Sequence, residues 1–317
     1  MPMKTPKAAS ANPVLGSKGP LFYLHRDWQL YVLVFLPMAF VLLFKFGPMF
    51  GLIIAFKDYR IVQGFWGSNW VGLQVFRDVF SHRLFFPALR NTLLLNILDL
   101  AMGFPMPIVL ALLLNEIGVK WFKKTTQTLL YLPHFLSWVI IGALAYQLFS
   151  VNSGMVNNMI ADLGGRRFPF LTSNFPWLIS YVVVGMWQNM GWGTIIYLAS
   201  IAGINPELYE AATVDGAGRL RQCFSITIPC IRSTIVILLI MNLGRIMGGS
   251  FERIYAMSNV MATEFTTTIP VLVYRWGIQS MNFSRATALG LFQSVIGLGM
   301  VLASNFIAKK LGEEGLL

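Results

Sequence analysis

Six stretches of this sequence are apolar over the length of a membrane crossing, and a chain built that way has few folds open to it. Crossing roughly 30 Å of hydrocarbon takes about 20 residues of helix. Every backbone amide must find its partner inside the segment, because no water is there to serve it. The stretches are Trp28–Phe50, Thr92–Leu114, Leu129–Phe149, Trp177–Ala202, Ile231–Gly248 and Ala288–Ala308. They predict an all-α polytopic membrane protein with six transmembrane helices. Lys45 and the Gly47-Pro48 pair disturb the first stretch near its end, and Lys45 can reach the interface along its own stem.

Composition agrees. Of 317 residues, 56% are hydrophobic and 12% charged, and mean hydropathy is +0.64, whereas a soluble domain carries about 25% charged residues. The net charge of +11 does not point to nucleic acid, because the basic residues lie between apolar segments and not along one face. Two cysteines, Cys223 and Cys230, make neither a disulfide framework nor a zinc pattern, so no metal chemistry is expected.

The polar residues 1–27 carry Lys4, Lys7, Lys18 and Arg26, and no small-residue cleavage site follows them, so the first span is read as uncleaved. With both termini in the cytoplasm, the cytoplasmic segments are 1–27, 115–128, 203–230 and 309–317, flanking and threading a permease domain over 28–308. Lys and Arg divide almost evenly between the two sides by number but are denser on this one. Outside, the aromatic, turn-rich stretch Gly64–Trp70 and the apolar stretch Thr266–Trp276 are expected to be ordered.

The cytoplasmic segment between spans four and five is the most specific part of the chain. Asn205-Pro206-Glu207 reads as a helix start, with an asparagine cap, proline in the first turn and an acid at the positive end of the helix dipole. Gly216 breaks that helix, an amphipathic piece follows, and Pro229 opens the next membrane helix.

Glu210, Ala211, Ala212, Gly216, Ile226 and Pro229 stand at the spacing E-A-A, three residues, G, nine residues, I-x-L-P, with Ile228 in the leucine position. This resembles the signature of the permease subunits of ATP-binding-cassette (ABC) importers, and the resemblance runs from about Trp28 to Ala308. Ile54–Tyr59, Trp70–Leu73, Leu112–Glu116 and Tyr131–Trp138 look like the carbohydrate branch, maltose-type and especially complex-polysaccharide-type. The resemblance implies a type I importer fold and a coupling helix that docks in a groove of an ATPase subunit. Glu210 would help hold the loop there, Ala211 and Ala212 keep it thin and Gly216 turn it, and Asp215, Ile226 and Pro229 belong to the same coupling set. It also implies a second homologous permease subunit in a heterodimer, two ATPase subunits, an extracytoplasmic solute-binding protein, an oligosaccharide substrate and the bacterial inner membrane. No P-loop pattern G-x-x-x-x-G-K-[ST] occurs, so ATP and Mg are expected on the ATPase subunits and no cofactor or catalytic group on this chain.

Polar groups within spans are costly against lipid and tend to face a bundle interior. The candidate substrate contacts are Trp187, Gln188, Asn189 and Trp192 in span four, Asn242 and Arg245 in span five, Tyr146 and Gln147 in span three, and Asp99 in span two. Asn96 and Gln293 are weighed equally as helix-to-helix bonds, and His134 is read as structural. Asp99 is a candidate counter-charge for Arg245. If Arg245 is instead uncompensated, it suits an acidic sugar such as a uronate oligomer, with alginate-type importers one case. The alternatives are an ABC permease for a peptide or amino acid and an integral-membrane sugar transferase. The transferase is disfavoured by the absence of D-x-D and H-E-x-x-H patterns.

Overall fold

The computed structural model describes residues 26–258, 264–310 and 312; the tails expected over 1–27 and 309–317 lie largely outside these residues. Two compact units meet in sequence at Ile53 and Ile54. The first contains helix α1, Trp28–Val41, none of whose residues is buried. A π-helical turn at Leu42–Phe46 and a 3-10 stretch from Gly47 to Phe56 continue it. Pro48 explains the change of geometry, since it donates no hydrogen bond and its ring crowds the carbonyl four residues back.

In the second unit, β1 (Lys57–Asp58) and β2 (Asn69–Trp70) form a minimal antiparallel hairpin with Lys57 opposite Trp70. The Ser68 hydroxyl closes it, donating to the Gly64 carbonyl at 2.7 Å and accepting from the Arg60 amide at 3.1 Å. Helix α2 (Gln74–Phe80) leads to α3 (Phe85–Leu98), a π-helical turn at Asp99–Gly103, and α4 (Pro105–Asn115). Together Phe85–Asn115 is a 31-residue candidate crossing that begins seven residues before the expected Thr92. Pro105 widens the turn before it, and the widened turn carries Asp99.

The third expected span is not one helix. Helices α5 (Lys120–Tyr131) and α6 (Trp138–Phe149) meet at 104° across the 3-10 turn Leu132–Phe135. Pro133 ends regular hydrogen bonding there, Ser137 is extended, and its hydroxyl caps α6 by accepting from the Ile140 amide. After α7 (Met155–Asp162) comes α8 (Asn174–Ala202), 29 residues long. Then follow α9 (Pro206–Val214), α10 (Arg219–Gln222), α11 (Arg232–Gly244), α12 (Phe251–Met257), α13 (Ile269–Tyr274) and α14 (Phe283–Lys310). A second bend, of 60°, separates Arg219–Cys230 from α11 just after Pro229, and the fifth expected span stops at Gly244, four residues short of Gly248.

Among the described residues, three helical segments are long and apolar enough to cross a membrane, or up to five if each bent pair is one span. Helix α8 is in neither set despite its length. Its apolarity is diluted by Gln188, Asn189 and small residues because it lies inside the bundle: Trp177, Tyr181, Val184, Gln188, Gly191, Tyr197 and Ile201 are buried at helical spacing. Glycines set its distance from its neighbours. A Cβ on Gly191 would overlap the Leu130 carbonyl at the end of α5, and one on Gly193 would press on the Pro107 ring of α4. Overpacking of this kind costs about 1–3 kcal/mol. Gly191→Ala should therefore lower the thermal unfolding midpoint of the solubilised protein, whereas Gly203→Ala, whose nearest neighbours leave room, should not; equal midpoints would refute the close packing.

Candidate functional site

The segment between α8 and α11 is built as a largely exposed arm. The Asn205 side chain accepts from the Glu207 amide at 3.1 Å, and Pro206 occupies the first turn, so α9 starts where the residues predict. Gly216 takes the left-handed conformation, φ +76°. Beyond it, Gln222 donates to the Ala217 carbonyl at 2.9 Å and to the Thr213 hydroxyl at 3.0 Å, folding α10 back on α9. Arg219 bridges to Glu116 at 3.5 Å, and Tyr209 and Thr227 share a hydroxyl bond of 2.9 Å. No residue of α9 is buried. Glu210, Ala211, Asp215 and Pro229 are exposed, Ala212 and Ile226 half-buried, and the apolar Leu208, Val214 and Leu220 are also open.

A cavity of about 570 Å³ lies among α3, α4, α6, α8, α11 and the corner into α12. It gathers Asp99, Asn189, Trp192, Asn242 and Arg245 from the predicted set, together with Asn96. Gln188 is buried off the cavity with its Oε1 unpartnered, and Trp187, Tyr146 and Gln147 are exposed elsewhere. The three asparagines share one pose. Each amide NH2 donates to the carbonyl one turn earlier on its own helix: Asn96 to Thr92 at 2.7 Å, Asn189 to Gly185 at 3.1 Å, Asn242 to Leu238 at 2.7 Å.

Trp192 is 48% exposed and stacks one face on His134, with centroids 4.7 Å apart and planes 10° from parallel. His134 thus backs the indole from the α5–α6 bend, its Nδ1 buried without a partner.

The structure corrects the pairing of Asp99. Its partner is Arg253, on α12, and not Arg245. Arg253 is 3% exposed and donates through Nη2 to Asp99, to the Tyr181 hydroxyl and to Ser250 Oγ, the last at 3.2 Å. Its guanidinium lies 3.7 Å over the Tyr181 ring and 5.5 Å over Trp138. Arg245 is exposed and makes no ion pair among the described residues. Sequence reasoning passed over Arg253 because it falls in a segment assigned to an outside loop. The signal was the lone carboxylate Asp99, which required a cation, and the arginine nearest in a span was the wrong choice. Removing one partner of a buried pair costs about 3–5 kcal/mol, because the other charge stays buried. Asp99→Ala should thus markedly lower the unfolding midpoint and Arg245→Ala leave it within error; the reverse order would restore the Asp99–Arg245 pairing.

The profile of the family described as binding-protein-dependent transport system inner membrane component matches residues 80–312. The chain is 43% identical over 314 residues to protein LplB of Bacillus subtilis, covering 98% of each chain. It is 45% identical to the polygalacturonan/rhamnogalacturonan transport system permease protein YteP of the same organism, covering 93% of this chain and 92% of that one. Among solved structures it superimposes on a chain of a bacterial alginate ABC transporter in complex with an alginate-bound periplasmic protein, with TM-score 0.85 and 38% identity over 94% of this chain and 99% of that one.

Proposed function

The chain belongs to the family of binding-protein-dependent transport system inner membrane components, and from that membership we infer that it forms half of the membrane pathway of an ABC importer for acidic oligo- or polysaccharides. It is a multi-pass permease subunit without a catalytic role. Helix α8 joins the five candidate crossings as the sixth span, with both termini in the cytoplasm. A second, related permease completes the pathway. Gln147, polar and exposed on α6, supports this, since such a group is costly against lipid and is better covered by another subunit. Two ATPase subunits carry ATP and Mg and receive the α9 arm, for which the open Leu208 and Val214 offer apolar docking surface. An extracytoplasmic protein delivers the sugar. ATP binding closes the ATPase pair, the arm transmits the movement, and the cavity changes the side it faces; hydrolysis resets it.

Arg245 carries the acidic-sugar reading. It stands exposed in the cavity wall with no ion pair among the described residues, while Arg253 is already matched by Asp99. The relative that transports polygalacturonan and the alginate transporter handle uronate polymers, which bear a carboxylate on each uronate ring. Trp192 offers a flat apolar face to a pyranose ring, and Asn96, Asn189 and Asn242 offer oxygens to its hydroxyls.

In the assembled complex with its binding protein, uronate oligomers should stimulate ATP hydrolysis. Arg245→Gln should weaken that stimulation about tenfold or more, the worth of a charged hydrogen bond. Stimulation by neutral oligomers alone would exclude the acidic reading. For the arm, Gly216→Val meets no neighbouring atom but strains a left-handed backbone. It should remove ATP-driven uptake while leaving the amount of protein in the membrane unchanged, and normal uptake would sink the coupling assignment.

A further inference from the structure

We propose that the Asp99–Arg253 pair is a latch across the end of the cavity farthest from the α9 arm, made while that end is shut and broken when it opens. The proposal rests on the alternating-access reading above.

Position comes first. Along α8, Tyr181 and Gly185 meet Arg253, Asn189 and Trp192 follow in the cavity wall, and Ala202 ends the helix at the arm. Tyr181 and Ala202 are thus about 32 Å apart along the axis. The pair stands at the far end, where four pieces of the chain converge: the π-helical turn carrying Asp99, the first residue of α6, α8, and the corner between α11 and α12.

The bonding is that of a contact able to let go. A guanidinium has five donors in a fork, and a pair built for permanence engages carboxylate oxygens with two of them. Here Nη2 alone serves Asp99, Tyr181 and Ser250, and the buried Nε has no partner among the described residues. For such a pair the desolvation penalty takes back much of the attraction, so what remains is a modest bias toward the shut state even though deleting one partner is costly. Moving Arg253 into water in the opened cavity therefore costs little.

Both sides of the contact stand on backbone that can change conformation. Asp99 opens a π-helical turn with one residue more than a regular turn needs. Ser250, one residue before α12, is held left-handed at φ +70° directly after Gly248 and Gly249. Gly185 leaves the space the guanidinium fills, since a Cβ there would overlap it. Helix α12 is otherwise clamped, with Ala256 against Gly142 of α6 and the Met257 carbonyl accepting from Trp177 Nε1 at 2.7 Å. Release at Arg253 would therefore free the Ser250 end of α12 from the turn that carries Asp99.

The test uses the full complex in sealed, right-side-out vesicles, with Cys223→Ser and Cys230→Ser as background and Leu100→Cys as a reporter in the cavity wall. A membrane-impermeant maleimide added outside should label the parent slowly. Asp99→Asn should raise that rate about tenfold or more, the shift about 1.4 kcal/mol of bias produces. The double variant Asp99→Asn, Arg253→Gln leaves no uncompensated charge, so the fold survives, and it should also label faster than the parent, though less so than the single variant. An unchanged rate in the double variant, with the ATPase subunits still co-purifying, overturns the latch. The labelling does not depend on which sugar is carried. A parent complex that hydrolyses ATP but imports no oligosaccharide would refute the functional reading, and the two labelling rates would still decide the latch.

Discussion

Close approach of helix backbones at small residues is the constraint on which this structure rests. Inside hydrocarbon there is no water to drive apolar surfaces together, so helices associate through contact and hydrogen bonding, and contact is best where side chains are absent. Helix α8 shows this at three levels: Gly185 against Arg253, Gly191 against the end of α5, and Gly193 against Pro107 of α4. The same device joins α11 to α14, where Gly297 lies against the Gly244 carbonyl. Cavity and latch both lie along these contacts, because a helix held by its glycines can turn its remaining side chains inward.

Much of this was legible in the sequence. The apolar stretches marked where the candidate crossings lie, though the second begins seven residues before its stretch and the third is folded through 104°, and the arm between α8 and α11 was readable down to its cap, its proline and its glycine turn. These features are local: each depends on one residue and its near neighbours in the chain. The cavity was partly legible for a similar reason, since polar residues are rare enough in such spans to be suspect wherever they occur. Asn189, Trp192, Asn242 and Arg245 all reach it, while Tyr146 and Gln147 point away. Nothing in their spacing distinguishes a wall residue from one facing outward.

What was not legible depends on where distant segments return. The sequence contains Pro133 and Pro105, but not whether a proline kinks a crossing, widens one turn, or folds it through 104°. Arg253 is the sharpest case. Its segment is too short and too polar to be a crossing, yet the corner at Ser250 turns it back into the bundle, where it meets a carboxylate 154 residues away. His134 is similar: its neighbour Trp192 is invisible until the bend places the two rings face to face.

The shared pose of Asn96, Asn189 and Asn242 has a consequence for traffic. With one N–H of each NH2 group occupied by its own helix, these amides present an oxygen atom and one remaining donor each, beside the guanidinium of Arg245. A hydroxyl can rotate its hydrogen toward whichever oxygen is nearest, so a polyol passing such a wall exchanges one acceptor for the next without reorienting its ring. A surface of this kind grips weakly along its asparagines and more firmly at Arg245, a lining suited to a ligand that moves on in small steps.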